Sequence, residues 1–442
     1  MRISIIGIGY VGLVAGACFA DKGFEVIAST QDKDKAMLIN NGKAPFFEPD
    51  LDRILKKVIK GSRLKAILGR EEAILNSSVT FICVGTPSAP DGSIDLGLVY
   101  KTAEEIGRAV KEKKDYHLVV VRSTVIPGTS ERVKGIISKI SGKKAGKDFG
   151  ICMSPEFLRQ GNAVYDTFNP DRIIIGEYDK KSGTMLERLY RKFYRNKKIS
   201  ILKMNLASAE MVKYVSNALL ANKISFINEI ANICEKLDGV DVYEVAKGVG
   251  LDRRIGTLFL EAGVGFGGSC FSKDINALIN FSKVIGYEPL ILEDTLLLNK
   301  LQALHVVELA RKELGGLADR RIALLGLSFK PNTDDMRDAP SVKIAHALLE
   351  EGAKVVAYDP VAINNARKIL GDRIEYADSA KNCLKKADSC IIVTEWEEFK
   401  KLKPADFKEM SKKLVIDGRR ILDPILFKKA GFTYLGIGLG GF

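Results

Sequence analysis

Hydrophobic residues along this chain fall into two kinds of run. Short apolar stretches end in glycine or a polar turn and read as buried strands; longer stretches with apolar residues three or four apart read as helices. The chain opens on one of each. Arg2-Ile3-Ser4-Ile5-Ile6 is a predicted strand, followed by Gly7-Ile8-Gly9-Tyr10-Val11-Gly12 and a helix over 11–22. The uncharged run over 3–20 superficially resembles a secretory leader. Gly7, Gly9, Gly12 and Gly16 interrupt it and a second strand, 25–30, follows at once, so no targeting or membrane-spanning segment is expected. Further strands are predicted at 79–84, at 118–121 and from Ile151, each running into a polar turn.

Over 206–236 neither proline nor glycine occurs and apolar residues recur three or four apart. This predicts a single long helix, suited to bracing two domains and to offering a dimer surface. Glu210, Lys213, Asn217 and Asn228 fall on or near one of its faces, a stripe that taken alone reads as solvated. Past residue 314 the order strand, glycine, helix, strand, acid restarts, with strands at 321–327 and 353–360, a helix at 341–351 and further strands at 389–394 and 413–417. The pattern predicts an α/β fold: two Rossmann-like doubly wound domains joined by a long central helix, divided as 1–200, 201–300 and 301–442.

Composition narrows the function classes. A chain of 442 residues, 46% hydrophobic and 28% charged, suits a multidomain globular protein. The net charge of +13 is spread along the chain with no aromatic-plus-basic module, which favours anionic small ligands over nucleic acid. Seven cysteines, at 18, 83, 152, 234, 270, 383 and 390, include no C-x-x-C pair. They imply a reducing, cytoplasmic setting and neither a disulfide framework nor a metal site. With only three histidines, His117, His305 and His346, acid and base chemistry is expected from other groups.

Candidate chemistry concentrates in two glycine-rich stretches. G-x-G-x-x-G between a strand and a helix is the dinucleotide fingerprint, with the helix N-terminus facing a pyrophosphate. The acid expected at the end of the next strand, to bond the adenine ribose, is here Thr30, followed by Asp32, Lys33 and Lys35. Both NADP, and NAD held through Thr30 or Asp32, remain open. In the second stretch, 263–274, four glycines in six residues deliver Cys270 to the start of an apolar helical pattern, with Lys273 one turn on. A helix N-terminus and a nearby cation favour a nucleophilic thiolate; a buried cysteine beside a glycine turn is an equal alternative. Turns at Gly85-Thr86-Pro87-Ser88 and 122–128 end strands where a cofactor cleft is expected, and Lys330, Arg337, Arg419 and Arg420 are turn cations suited to phosphate.

Several of these motifs stand together in register. The glycine fingerprint, Gly85-Thr86-Pro87, Ser123-Thr124, Ser154-Pro155-Glu156-Phe157-Leu158, Lys213 through Asn217, Gly265 to Asp274, and the run from Phe329 to Arg337 resemble, in order over nearly the whole chain, the UDP-glucose/GDP-mannose dehydrogenase family. The resemblance implies a homodimer built on the central helix. It also implies a dinucleotide-binding domain over 1–200, a helical dimerisation and substrate domain over 201–300, and a sugar-nucleotide domain over 301–442. The implied reaction is the four-electron oxidation of a sugar-nucleotide C6 alcohol to a carboxylate, with UDP-glucose expected ahead of GDP-mannose or another UDP-sugar. Cys270 would be the nucleophile, Lys213 would stabilise oxyanions, Asn217 would orient the intermediate, Asp274 and Thr124 would hold a water, and Glu156 would serve thioester hydrolysis. NAD or NADP would be held by Gly7, Gly9, Tyr10, Val11, Gly12, Thr30, Lys35, Thr86, Thr124 and Arg337. The UDP-sugar would meet Glu156, Phe157, Leu158, Lys213, Asn217, Arg254, Gly267, Lys330 and Arg419. Thr30, Gln160 and Ser272 depart from the family's aspartate, glutamate and proline.

Overall fold

The computed structural model describes residues 1–195 and 197–441. The chain divides into two units, Met1–Ser216 with Asn276–Phe281, and Asn217–Ile275 with the chain from Ser282 onward. Each is an α/β domain, and the helix Leu206–Cys234 joins them.

The first unit holds β1 (Arg2–Ile6), β2 (Glu25–Ser29), β3 (Leu64–Ile67), β4 (Val79–Ile82), β5 (His117–Val121), β6 (Phe149–Met153), β7 (Arg172–Glu177) and β8 (Ser200–Met204). They lie in the order β3-β2-β1-β4-β5-β6-β7-β8. Every pair is parallel except β6 with β7. Along β1 and β5 successive residues enter opposite cores. Ile3, Ile5, Leu118 and Val120 pack on one face of the sheet, and Ile6, Val119 and Val121 on the other. Two covered faces explain why these strands are mainly apolar instead of alternating, with Ser4 and His117 as buried polar exceptions. β3, β7 and β8 were not predicted; β8 at the edge is only partly buried, so its polar residues mask it.

The second unit holds β9 (Arg321–Leu325), β10 (Lys354–Tyr358), β11 (Glu375–Tyr376), β12 (Ser389–Ile392), β13 (Leu414–Asp417) and β14 (Thr433–Gly436), all parallel. Their order, β11-β10-β9-β12-β13-β14, repeats that of the first six strands of the other sheet. Both sheets therefore change winding direction beside their first strand, between β1 and β4 and between β9 and β12. Ligands of open α/β sheets bind at such switch points.

The stripe on the long helix is not solvated. Glu210, Lys213, Asn217 and Asn228 are all buried, because each has a polar partner in its own unit, described below. Among the described residues, no helix is long and apolar enough to cross a membrane.

One buried histidine gives the first sheet a pH dependence. His117 lies fully inside, bonded through Nε2 to Thr80 Oγ1 at 2.8 Å, which meets Ser4 Oγ at 2.6 Å. Burial, helped by Lys113, pushes its imidazole down to about 3. The unfolded chain takes up this proton near pH 6.5 while the native chain does not, so native stability is lost as pH falls from there toward 3. We expect His117→Gln to flatten the acid limb of a denaturation series run from pH 7 to 4, by up to about 1.4 kcal/mol per pH unit.

Candidate active site

Three glycines shape the turn after β1, and they do so for different reasons. Gly7 has φ +94°, and a Cβ there would stand 2.7 Å from the Val84 amide nitrogen; a Cβ on Gly12 would stand 2.0 Å from the Gly7 carbonyl oxygen. The protein itself forces those two. A Cβ on Gly9 would meet nothing within 4 Å, so its smallness keeps space open. Gly9 also starts the helix Tyr10–Asp21, and no side chain caps it. An open, uncapped helix N-terminus at a switch point fits a dinucleotide pyrophosphate.

Neighbouring strand ends are tied together. Thr86 Oγ1 donates to the Thr124 carbonyl at 2.9 Å, and Ser123 Oγ to the Val84 carbonyl at 2.7 Å, so the turns after β4 and β5 move as one. After β2, Thr30 Oγ1 accepts from the Asp32 N–H at 3.1 Å. Asp32 in turn caps the next helix by accepting from the Lys35 N–H at 3.0 Å.

Beyond β6, Glu156 is buried and pairs with the equally buried Lys213, Nζ to Oε1 at 3.1 Å. The Leu158 N–H donates to its other oxygen at 2.6 Å. Burial alone would raise the Glu156 carboxyl; Lys213, the Leu158 N–H and the charge of Arg122 outweigh it and hold the group below the ordinary carboxylate range. Phe157 carries Arg172 4.2 Å and Lys213 5.7 Å from its ring centre. One turn before Lys213, Glu210 accepts from the Gly128 and Ser130 N–H groups at 2.7 and 2.6 Å, fixing the helix against the turn after β5.

In the second unit the glycine loop is held by side-chain amides. Asn299 accepts from the Phe266 N–H at 2.7 Å and donates to its carbonyl at 3.0 Å. Asn228 accepts from the Gly263 N–H at 2.8 Å, and Gln302 donates to the Gly263 carbonyl at 2.9 Å. Arg419 donates to the carbonyls of Gly265 at 3.1 Å and Val393 at 2.8 Å. Gly265 and Gly268 have φ of +91° and +86°, and a Cβ on Gly267 would stand 2.5 Å from the Asp338 carbonyl oxygen.

The loop delivers Cys270 to the position just before the helix Phe271–Val284, where its carbonyl accepts from the Asp274 N–H at 2.8 Å. Cys270 is exposed while the other six cysteines are buried, which removes the reading of it as a core residue. Asp274 is buried and accepts from Asn217 Nδ2 at 2.7 Å and Lys273 Nζ at 2.6 Å. Lys273 thus gives its charge to Asp274. Arg337, whose guanidinium is raised above its usual range chiefly by Asp335, also feels the thiol of Cys270. Ser272 donates to Asp338, which supplies a side-chain tether where a proline is absent.

The remaining predicted cations divide. Arg254 bonds Asp252 within an exposed turn, and Lys330 lies 5.4 Å from the Phe329 ring centre beside Gly268. Arg420 is no phosphate ligand: it is committed to Asp241 at 2.7 Å and to the Ile437 carbonyl at 3.1 Å. Sequence reading missed Asn299 and Gln302, whose signal was isolated amides at buried positions of the apolar helix Leu290–Leu314. It read Asp359 only as the acid that ends a strand and missed that its carboxylate fills the turn after β9. That carboxylate accepts from the Leu327 and Ser328 N–H groups at 2.8 and 3.0 Å and from Trp396 Nε1 at 3.1 Å.

Such a pair of sheets, with an open glycine turn on the first, marks a dinucleotide-binding α/β protein. Comparison with known proteins gives the family. Residues 1–194 match the NAD binding domain, 207–301 the central domain and 323–424 the UDP binding domain of the UDP-glucose/GDP-mannose dehydrogenase family. The chain belongs to that family and is an oxidoreductase. It is 42% identical over 438 residues to a UDP-glucose 6-dehydrogenase of Bacillus subtilis, covering 99% of this chain and 93% of the relative. It is 44% identical to one of Haloferax volcanii, covering 96% and 97%. A UDP-glucose dehydrogenase structure from Pyrobaculum islandicum superposes with a TM-score of 0.90 at 39% identity, covering 99% of this chain and 98% of that one.

The loop's dependence on Asn299 is testable. Asn299→Ala leaves two backbone groups of Phe266 unpaired, at a cost of about 2 to 6 kcal/mol. We expect a lower unfolding midpoint and reduced turnover, with binding of reduced nicotinamide dinucleotide retained, read by its fluorescence.

Proposed function

We propose that this chain oxidises the C6 alcohol of UDP-glucose to the carboxylate in two stages, through a covalent bond to Cys270. The observation that carries this is the exposure of one thiol among seven, at a helix start, on a loop braced by buried amides. A two-electron dehydrogenase would leave that thiol idle. A bound nicotinamide would supply the acceptor for hydride at each stage. Between the stages the Cys270 thiolate adds to the C6 aldehyde, forming a thiohemiacetal whose oxidation leaves a thioester; water then cleaves it, releasing the carboxylate and regenerating the thiolate.

Each side chain has a role that suits its surroundings. Lys213 places an ammonium for the oxyanions of these adducts, and Asn217 orients the intermediate. Glu156, kept ionised by Lys213, suits a base in thioester hydrolysis, and Asp274 with Thr124 suits the holding of a water. Gly7, Gly9, Tyr10, Val11, Gly12, Thr30, Lys35, Thr86, Thr124 and Arg337 are assigned to the cofactor. Phe157, Leu158, Arg254, Gly267, Lys330 and Arg419 are assigned to the sugar nucleotide. NAD is the proposed cofactor: the Asp32 carboxylate, at the helix start just past Thr30, opposes a 2′-phosphate.

A homodimer is part of the proposal. Leu219, Phe226 and Ile233 recur every seven residues on the long helix and are 59%, 53% and 51% exposed. A second copy of the chain is the proposed cover, since an apolar seam of this spacing suits helix pairing. Phe226→Lys is expected to shift the mass measured by light scattering from dimer to monomer; a wild-type monomer would remove this part.

Counting reduced nicotinamide formed per UDP-glucose, with NAD and NADP in parallel, tests the reaction. We expect two per sugar and faster turnover with NAD. Cys270→Ser should lower turnover more than about a thousandfold while cofactor still binds. One per sugar would mean that oxidation stops at the aldehyde, and no turnover would direct the assay to GDP-mannose.

A further inference from the structure

A buried carboxylate outside the groups assigned above links two loops of the first unit. Glu48 is 6% exposed. Its Oε2 accepts from the Gly161 N–H at 2.8 Å and from the Tyr10 hydroxyl, and its Oε1 from the Ala163 N–H at 2.7 Å. The Tyr10 hydroxyl itself accepts from the Gly161 N–H at 3.0 Å. Tyr10 is the first helical residue after Gly9, and its ring packs 4.9 Å from that of Phe46. Burial, followed by Glu48, raises the Tyr10 phenol far above its usual range, so it stays a donor.

The far side of this link is the loop that carries Glu156, Phe157 and Leu158, and that loop is stiff. Arg159 grips Asp166 through Nη2 at 2.6 Å, Nε at 3.0 Å and its own N–H at 2.9 Å. Asn162 reaches the same carboxylate at 2.9 Å, and the Leu158 N–H is fixed on Glu156. A shift at Gly161 is therefore carried along the loop to Glu156 instead of being absorbed. The near side is the glycine turn. A phenol and a carboxylate thus form a short bridge from the residue beside Gly9 to the loop that orients Glu156.

We propose that Tyr10 and Glu48 are positioning residues that couple occupancy of the Gly7–Gly12 turn to the geometry of the 154–163 loop, so that dinucleotide and sugar nucleotide bind cooperatively. This rests on the assignment of those two loops to cofactor and substrate. A ligand on the turn fixes Tyr10, Tyr10 fixes Glu48, and Glu48 fixes the N–H groups of Gly161 and Ala163. The second ligand then meets a loop whose ordering is already complete, and by linkage the effect is reciprocal.

The coupling is measured without turnover by pairing reduced nicotinamide dinucleotide with UDP-glucose and titrating each in the absence and presence of the other. In the native chain we expect each ligand to tighten the other by at least about fivefold. Tyr10→Phe keeps the ring and leaves Glu48 on Gly161 and Ala163, removing only the hydroxyl; its coupling factor should fall toward one. Glu48→Gln should do the same and also lower the unfolding midpoint. A purely structural role would lower that midpoint and leave the coupling factor unchanged. Native coupling near one, or full coupling in Tyr10→Phe, overturns the inference. Failure of the native chain to bind either ligand would instead overturn the assignment of the loops.

Discussion

Every strand-to-helix turn in a parallel sheet exposes backbone N–H groups that have no partner within their helix, and this chain settles that constraint turn by turn. Glu210 takes the N–H groups at the helix after β5, Glu48 those at the short helix after the β6 loop, and Asp359 those of the turn after β9. Each acid comes from a distant part of the sequence, so capping also ties one element to another. At Gly9 no side chain arrives, and a Cβ there would face open space. These filled turns hold the architecture, while the start at Gly9, with no side-chain cap and open space before it, is suited to an anion.

The two sheets show how far strand order can be separated from ligand. Both wind the same way about their first strand, and both follow it with a glycine of positive φ, Gly7 at +94° and Gly326 at +100°. In the second, the acid at the end of β10 folds back into the turn and receives two backbone N–H groups, the Ser328 hydroxyl and the Trp396 indole. A carboxylate already occupying the turn excludes a phosphate on both steric and electrostatic grounds.

Most central strands were legible because both faces of each sheet are covered, which leaves a mainly apolar run, though β7, equally covered, was missed. The long helix was legible from the absence of proline and glycine. What failed was the reading of its polar stripe, since burial of Glu210, Lys213, Asn217 and Asn228 depends on partners brought from residues 128–130, 156, 274 and 263. No helical periodicity can report those. Lys273 failed similarly: its proximity to Cys270 in sequence was clear, but not that Asp274 would claim its charge. Arg420 looked like a phosphate ligand until Asp241, 179 residues away, was seen to hold it.

The same dependence on remote partners underlies the proposed chemistry, which uses no histidine. A buried carboxylate that stays ionised needs compensating charge, and a buried ammonium needs the same in reverse; Glu156 and Lys213 supply it to each other at 3.1 Å. Removing either partner takes compensating charge away from the other, which shifts the survivor toward its neutral form. In the mechanism proposed above, loss of Lys213 would therefore weaken Glu156 as a base as well as removing the cation, and loss of Glu156 would make Lys213 a poorer oxyanion partner. Substitution at one cannot isolate the role of one, and only the double substitution, set against both singles, separates positioning from chemistry.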